Sequence, residues 1–289
     1  ITGSITPKEI TEADVKLSGS LTYNGKEQTQ QITVTEGITY TVTGDTATDV
    51  GTYTLTVTAS GNYTGSVTRQ WSIAKAAATV TTAPNPNDLT YTGEALYLIS
   101  AGEANGGTMQ YSTDNQTWST TIPQGTDAGE YIVYYKVVGD ANHSDTAVDS
   151  VEVTIAKAQA VITVDTTTIT VTYGKTVSLP TATTNFGAVV CDKTADDLVN
   201  AGTYTVTYTV AATGNFEGAT KTLTVKVGQL AVAEPTVTGT YTYTGKELTA
   251  QLTGVESYMT VASGNKGVGV GNYEVVITLD GNHKWAEGS

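Results

Sequence analysis

The sequence predicts an all-β protein, a tandem array of β-sandwiches, and three observations support this prediction. Threonine makes up about a fifth of the 289 residues, and threonine, valine and tyrosine favour the pleated, half-buried surface of a strand. Several segments alternate strictly between apolar and polar side chains. A set of short motifs also returns four times along the chain, which indicates four units of the same kind.

The alternating segments predict antiparallel sheets with one buried face. In residues 52–59, TYTLTVTA, the side chains of Tyr53, Leu55 and Val57 fall on one face and the threonines fall on the other. Residues 203–210, TYTVTYTV, repeat the pattern. A period of two with one polar face is typical of antiparallel sheets that have one face in water. Two such sheets bury their apolar faces against each other, which gives a sandwich.

The motifs that define the units occur in the same order each time. A Tyr-x-Gly motif comes first, a Gly-x-Tyr motif then precedes an alternating strand, and an Asn followed by an aromatic ring comes last. The Gly-x-Tyr tyrosines are Tyr53, Tyr131, Tyr204 and Tyr273, at intervals of 78, 73 and 69 residues. These intervals exceed the roughly 20 to 50 residues of solenoid repeats, so each unit has the size of a small domain.

The motifs divide the chain into four predicted domains, repeats 1 to 4. Their predicted bounds are residues 1–75, 76–157, 158–228 and 229–289. Repeat 2 carries an extra segment, residues 109–123, that predicts two short strands joined around Asp114 and Asn115. Repeat 4 stops soon after its Asn-aromatic motif, so we expect it to be incomplete and to lack the closing strand of the others. The junctions at 74–78 and 156–160 contain no Gly or Pro, so we expect little bending there.

Charge and cysteine content exclude several classes of function. The chain has 28 acidic and 14 basic residues, a net charge of -14. Nucleic acids are bound through clustered Lys and Arg, so neither a nucleic acid nor an anionic membrane surface is expected as a partner. The single cysteine allows no intramolecular disulfide, and no run of about 18 apolar residues predicts a transmembrane helix. No cofactor is expected, and the chain is expected to be a monomer.

The Gly-x-Tyr motif has the form of a tyrosine corner. In this feature the glycine permits a tight turn, the ring packs at the edge of the sandwich, and the hydroxyl bonds a nearby backbone group. We therefore expect Tyr53, Tyr131, Tyr204 and Tyr273 to have a structural role. The second residue after each tyrosine is Leu or Val, where antibody domains have a disulfide cysteine, so apolar packing is expected to replace the bridge.

Together, four motifs resemble the tandem bacterial immunoglobulin-like repeats of surface proteins and adhesins from Gram-positive and gut bacteria. They are Tyr-x-Gly-Lys/Glu, Asp-x-Gly-x-Tyr-x-Val, Gly-Asn-aromatic and a closing x-Ile-Ala-Lys, and they cover nearly the whole chain. Repeat 3 departs most, with VTYGKT for the first motif and Cys191 in its middle. The resemblance implies immunoglobulin-like sandwiches in an extracellular, cell-surface or cell-wall protein that acts as a stalk without catalysis.

A ligand-binding module is the alternative function, acting through the extra segment of repeat 2. Trp118 lies in that segment with Tyr111 nearby, and flat rings of this kind stack on sugars. An unknown host protein or glycan would then be the partner. The competing prediction is that Trp118 packs under its own hairpin.

No catalytic residue or metal ligand is predicted. His143 and His283 occupy the ring position of the Asn-aromatic motif, where the other repeats have Tyr63 and Phe216, so we expect structural turn residues. Cys191 has no His in its repeat, and we expect a small buried hydrophobic residue. The acidic segments at 45–49 and 192–197 are expected to be solvated loops, with weak calcium binding as the alternative. A covalent Lys cross-link stays open, with Lys26, Lys175 and Lys246 as candidates.

Overall fold

The computed structural model describes residues 2–288 and confirms the predicted fold class. The chain is a tandem array of immunoglobulin-like β-sandwiches, and two short 3₁₀ helices, Glu12–Asp14 and Ala195–Leu198, are the only helices within that range. It divides into two compact units, one ending at Ala156 and the other beginning at Lys157. The predicted outer limits at residues 1 and 289 lie outside the described residues.

Repeat 1 is a sandwich around a four-stranded sheet. Its strands are β1 (Lys8–Glu9), β2 (Val15–Ser18), β3 (Leu21–Thr22), β4 (Gln28–Thr29), β5 (Gln31–Val34), β6 (Thr39–Thr43), β7 (Thr46–Ala47), β8 (Gly51–Ser60), β9 (Tyr63–Thr64) and β10 (Ser66–Ala74). The sheet order is β3-β10-β8-β6, with β3 parallel to β10 and the other pairs antiparallel. The antiparallel pair β2-β5 forms the facing layer, and Val15 packs in one buried cluster with Leu55 and Val57.

Repeat 2 has the same architecture with one extra hairpin. Its strands are β11 (Ala76–Ala77), β12 (Thr79–Thr82), β13 (Leu89–Thr90), β14 (Leu96–Tyr97), β15 (Glu103–Asn105), β16 (Gly107–Ser112), β17 (Gln124–Gly125), β18 (Gly129–Gly139), β19 (His143–Ser144) and β20 (Asp149–Ala156). The sheet order is β13-β20-β18-β16, again with its first pair parallel. The pair β12-β15 lies in the facing layer.

Repeat 3 repeats the plan with fewer strands. They are β21 (Ala158–Gln159), β22 (Ile162–Thr163), β23 (Thr168–Thr172), β24 (Thr183–Thr184), β25 (Val190–Cys191), β26 (Gly202–Val210), β27 (Phe216–Glu217) and β28 (Ala219–Gly228). The sheet order is β23-β28-β26-β25, and β22-β24 is the facing pair. In all three repeats the closing strand, β10, β20 or β28, therefore lies between a parallel and an antiparallel neighbour.

Repeat 4 contains only two-stranded sheets among its described residues. Its strands are β29 (Leu230–Val232), β30 (Thr236–Thr238), β31 (Leu248–Thr249), β32 (Gln251–Thr253), β33 (Met259–Ser263), β34 (Lys266–Gly267), β35 (Val276–Leu279) and β36 (His283–Trp285). They pair as β29-β36, β30-β32, β31-β34 and β33-β35.

The buried apolar side chains are divided among the repeats in the same way as the strands. Repeats 1, 2 and 3 each have their own cluster of buried apolar side chains, and alternate residues of the long central and closing strands supply much of each cluster. Within the described part of repeat 4, only Met259 and His283 are buried. The alternation read from the sequence therefore produces a filled core in three repeats and an open one in the fourth.

The prediction that Cys191 is buried is wrong. Its side chain is exposed, and its Sγ lies 3.2 Å from the carbonyl oxygen of Lys193. The two-residue strand β25 is the outermost strand of its sheet and pairs with β26 alone, so no neighbour covers its outer side.

Candidate functional site

Side chains of successive repeats meet at two matching junctions, one within each unit, whose contacts the structure describes. The 1–2 joint consists of Tyr23, Asp49, Val50, Lys75 and the turn Asp140–His143; the 3–4 joint consists of Tyr173, Asn200, Ala201, Gln229 and the turn Asp280–His283. Each joint combines a one-residue linker, a bridging asparagine and a histidine that packs on a tyrosine.

The linker is a single residue in both joints. Strand β10 ends at Ala74 and β11 begins at Ala76, and β28 ends at Gly228 and β29 begins at Leu230. The Lys75 Nζ donates to the carbonyl oxygens of Asp140 and His143, at 2.9 Å each. The Gln229 Nε2 donates to the carbonyl oxygen of Gly281 at 3.1 Å. In each joint, the side chain of the residue that connects the two repeats also donates to the turn of the second repeat.

The asparagine of each turn bridges to the preceding repeat. Asn142 Oδ1 accepts the Val50 N–H at 2.9 Å, and its Nδ2 donates to Asp49 Oδ1 at 3.0 Å. In the 3–4 joint, Asn282 Oδ1 accepts the Ala201 N–H at 2.7 Å and its Nδ2 donates to Asn200 Oδ1 at 3.1 Å. An amide both donates and accepts, which is why asparagine satisfies a backbone N–H and an oxygen acceptor at once.

A carboxylate holds each turn in shape. Asp140 Oδ1 accepts the Asn142 N–H at 2.8 Å and lies 2.7 Å from His143 Nδ1. Asp280 makes the same two contacts, at 2.9 Å and 2.6 Å. The hydrogen bond with the histidine, followed by that from the backbone N–H, lowers the pKa of Asp140 below its ordinary value. The pKa of Asp280 is also lowered. The main cause is its hydrogen bond with His283, and desolvation of the carboxylate acts in the opposite direction.

The histidine ring packs on the tyrosine of the first motif in the preceding repeat, Tyr23 of TYNGKE or Tyr173 of VTYGKT. The rings of His143 and Tyr23 meet edge to face at 5.3 Å, and those of His283 and Tyr173 do so at 5.2 Å. His283 also stacks on Tyr258 at 3.9 Å. A flat ring in this position covers apolar surface and keeps a polar edge for the aspartate, which is a structural use of histidine.

This arrangement can hold two domains together. Both histidine Nδ1 atoms are engaged by aspartates of their own turn. No cluster of three or more His, Cys, Asp or Glu side chains that could hold a metal ion occurs in residues 2–288. Asp192 and Asp197, from one predicted acidic segment, accept backbone N–H groups of Thr207 and Thr194.

The four Gly-x-Tyr tyrosines make one common contact. The hydroxyl groups of Tyr53, Tyr131, Tyr204 and Tyr273 donate to the carbonyl oxygen four residues upstream, at 2.7, 2.7, 2.8 and 2.9 Å. This hydrogen bond closes the loop that precedes the strand, and it supports a structural role for these residues.

The two residues considered for ligand contact lie in different surroundings. Tyr111 is only 4 % exposed, belongs to the core of repeat 2, and its hydroxyl accepts the Gly102 N–H at 2.9 Å. Trp118 is half-buried, and the Lys136 Nζ lies 4.4 Å from the centre of its ring. A lysine at this distance makes a cation–π contact. A ligand role for Trp118 stays a prediction.

The extra segment that carries Trp118 forms a short hairpin, but only the first of its two predicted strands is present, as part of β16. The second is reduced to Ser119, which pairs with Tyr111 in an isolated bridge. At the turn, Asp114 Oδ1 accepts the N–H groups of Gln116 and Thr117 at 2.8 and 2.7 Å, and Asn115 has a positive φ of 57°. Asparagine tolerates this left-handed backbone better than most residues do.

Sequence reasoning identified the Asn-aromatic motif as a turn but missed its contact with the preceding repeat. One signal was present. The aromatic position varies among Tyr, His and Phe, whereas Asn62, Asn142, Asn215 and Asn282 share one residue type. A turn alone can use several residue types, so a fixed asparagine suggests a partner for its side-chain amide.

Comparison with known proteins identifies no family. No family model matches the chain, and no curated protein matches it. Among solved structures, fibronectin(III)-like modules of Clostridium thermocellum CbhA are similar at 16% identity and TM-score 0.24, over 49% of this chain and 94% of that one. The Drosophila N-cadherin EC1-3 structure has 11% identity and TM-score 0.24, over 78% and 98% of the two chains.

A third similar structure contains Sidekick-1 immunoglobulin domains 1-5, at 12% identity and TM-score 0.27, over 87% of this chain and 65% of that one. TM-scores below 0.5 do not establish a relationship. Separately, the described residues include no helix with the length and apolar character needed to cross a bilayer.

Proposed function

We propose that the protein is a non-catalytic spacer, a stalk segment of a bacterial cell-surface protein or adhesin. The observation that carries this proposal is the joint, which recurs in both units with the same three parts. A spacer must hold successive domains in a fixed relation, and a joint of this kind does so. The bacterial, extracellular and wall-attached setting rests on the resemblance of the four motifs and on the acidic composition.

The contacts of the joint are strong enough to restrict bending. A net hydrogen bond contributes about 0.5–1.5 kcal/mol, and each asparagine makes two such bonds to the preceding repeat. The Val50 N–H is part-buried, and a buried donor without a partner costs about 1–3 kcal/mol. A bend that separates the repeats would break these bonds together, so the bent states are expected to be sparsely populated.

Distance measurements between two spin labels test this proposal directly. Thr33→Cys and Glu152→Cys place one label on an exposed strand position in each of repeats 1 and 2, in a chain whose native thiol is removed by Cys191→Ser. We expect one narrow distance distribution. The double substitution Lys75→Ala and Asn142→Ala removes the side-chain hydrogen bonds across the joint and should broaden the distance distribution.

The matched control is Asn62→Ala, which changes the exposed asparagine of the corresponding turn in repeat 1, at the opposite end of β8 from Val50. It should leave the distribution unchanged. A broad distribution in the chain with an intact joint would show that the joint does not fix the two repeats, and the spacer proposal would then lose its main support.

A second candidate function is ligand binding through repeat 2, favoured by the hairpin that only this repeat has. The half-buried Trp118 beside Lys136 is the residue to test. If this function is correct, the chain binds a component of a glycan or matrix-protein array and Trp118→Ala abolishes binding without unfolding. The control is Tyr97→Ala, at a ring of the same repeat that is 57% exposed. Equal binding by the chain and Trp118→Ala would exclude this site.

A further inference from the structure

Repeat 4 contains an apolar groove where the other repeats have a strand. The groove has a volume of about 500 Å³ and is lined by side chains that include Val237, Tyr241, Tyr243, Leu248, Tyr273 and Val275. All of these belong to repeat 4. A comparison with repeat 1 shows what fills the corresponding space.

Repeats 1 and 4 correspond at a constant offset of 220 residues over their shared part. Strand pair β4-β7 matches β31-β34, because 28–29 pair with 46–47 and 248–249 pair with 266–267. A backbone hydrogen bond also matches. In repeat 1 the Gln30 N–H donates to the Asp45 carbonyl oxygen, and in repeat 4 the Ala250 N–H donates to that of Asn265. The same offset relates the Gly-x-Tyr and Asn-aromatic motifs. Positions in repeat 1 therefore predict what surrounds the groove in repeat 4.

In repeat 1 the corresponding space is occupied by strand β10. That strand is antiparallel to β8 along 51–58 and parallel to β3, and Tyr23 donates its N–H to the Ala74 carbonyl. Residues 51–55 are paired only through β10, since β6 pairs with β8 from Thr56 onward. The matching residues of repeat 4, 271–275, have no strand partner in the described part of the chain.

The side chains around the groove are exposed for the same reason. Leu55, Val133 and Val206 are all 0% exposed in repeats 1 to 3, whereas the matching Val275 is only part-buried. Tyr241 and Tyr243 match Leu21 and Tyr23 on the far side of the groove, and they are 44% and 63% exposed. Apolar side chains thus face each other across a gap on both sides of the groove.

We propose that this groove binds one added β-strand with the alternating pattern of strand β10. The strand would run antiparallel to residues 271–277 and parallel to residues 241–243, with alternate apolar side chains entering the groove. This is recognition by strand addition, in which the backbone provides affinity and the pockets for alternate side chains provide specificity. The occupant is thus an extended peptide segment with apolar residues at every second position.

One position of that strand is specified further. In repeat 1 the Trp71 Nε1 donates to the Gly44 carbonyl oxygen at 3.0 Å, and the Trp71 ring lies 5.0 Å from that of Tyr53. Gly264 matches Gly44 and lies in the groove. Both glycines have a positive φ, and each lies directly against backbone of the neighbouring strand segment, Gly44 against Thr54 and Gly264 against Glu274. The groove therefore favours a tryptophan opposite Tyr273.

The experiment uses the full chain and a synthetic peptide with the sequence of residues 66–74, SVTRQWSIA, capped at both ends. We expect saturable binding by calorimetry. Hydrogen exchange by mass spectrometry should slow at least about tenfold in residues 271–275 and 241–243, because their amides become paired. The matching segments of repeats 1 to 3 already have their strand and should not change.

Changes to the peptide test the proposal without altering the fold of the protein. Replacing Trp71 of the peptide by Val should weaken binding roughly three- to thirtyfold, the value of about one hydrogen bond and some packing. Replacing Gln70 and Ser72 of the peptide by Pro should abolish binding, since proline cannot donate to a ladder. A scrambled peptide of the same composition is the control.

Three outcomes of the peptide experiments would overturn the proposal. They are the absence of saturable binding by the parent peptide, equal protection by the scrambled peptide, and protection located outside repeat 4. Slow exchange of residues 271–275 in the chain alone would also overturn it. If that protection rises with protein concentration, a second copy of the chain occupies the groove instead.

Discussion

At the scale of single residues, the asparagine and aspartate of the Asn-aromatic turn determine how repeats meet. Asn142 and Asn282 use both ends of the amide across a joint, and Asp140 and Asp280 hold the turns that present them. The sequence indicated a turn at these positions. It could not indicate the partner, because Asp49 and Asn200 lie 93 and 82 residues away in the chain.

Acid should destabilise the Asp140–His143 turn of the 1–2 joint. The pKa of Asp140 is lower in the folded chain than its ordinary value of 3.8, so the folded state binds fewer protons than the unfolded state near that pH. Its contribution to stability is therefore complete well above pH 3.8, and it is lost as the pH falls through 3.8 toward the folded pKa.

The measurement is urea unfolding of the parent chain and of Asp140→Asn between pH 7 and pH 2. We expect the variant to be less stable at pH 7 and the difference to shrink below about pH 4, where the parent carboxylate takes up its proton. Comparing the two chains at each pH cancels the contributions of the other carboxylates. A difference that stays constant with pH would mean that the charge of Asp140 does not stabilise the turn of the joint.

At the scale of elements, a polar loop before each central strand is closed by a tyrosine hydroxyl. In repeat 2 the hydroxyl of Tyr131 donates to the Asp127 carbonyl, and the ring packs against the core. The motif Gly-x-Tyr before an alternating strand was sufficient to predict this feature, because ring, hydroxyl acceptor and strand all lie within a few residues. The turn at Asp114 and Asn115 in the extra segment of repeat 2 was predictable for the same local reason.

Removing one hydroxyl should measure the strength of this loop closure. Tyr131→Phe keeps the ring and deletes the hydrogen bond, so we expect a loss of about 0.5–1.5 kcal/mol in the free energy of unfolding. Tyr97→Phe, at a ring that is mostly in water, should change it by less than about 0.5 kcal/mol. Chemical denaturation gives both values, and equal effects of the two substitutions would contradict a structural role for the Tyr131 hydroxyl.

Cys191 shows where element-level prediction failed. Its neighbours Ala188, Val189 and Val190 suggested a strand, and Val190–Cys191 does form one. The strand lies at the outer edge of the sheet, however, and the cysteine is exposed. A short apolar run has the same appearance at the edge and at the centre of a sheet, because strand order depends on pairing between distant segments.

At the scale of the whole molecule, the protein combines three filled sandwiches with one open sandwich. Apolar side chains of alternate residues supply a separate core to each of the first three repeats. In repeat 4 the same alternation leaves Val275 part-buried and Tyr273 half exposed. Stability is therefore expected to be unequal along the chain.

Hydrogen exchange of the chain alone should show this inequality. Residues 203–207 of β26 are paired on their β28 side, whereas the matching residues 272–276 have a strand partner only at Val276. We expect the amides of 272–275 to exchange at least about a hundredfold faster than those of 203–207, since exchange from unpaired backbone needs no unfolding. Similar rates in the two segments would show that repeat 4 is closed in solution.

The sequence by itself determined the fold class and the local motifs, because alternation, turns and tyrosine corners depend on residues close together in the chain. Only the tertiary structure decided which residue of the preceding repeat each turn asparagine meets, which strand lies at an edge, and where an apolar groove remains open. These features depend on contacts between segments tens of residues apart, and the pattern of any single segment is compatible with several such pairings.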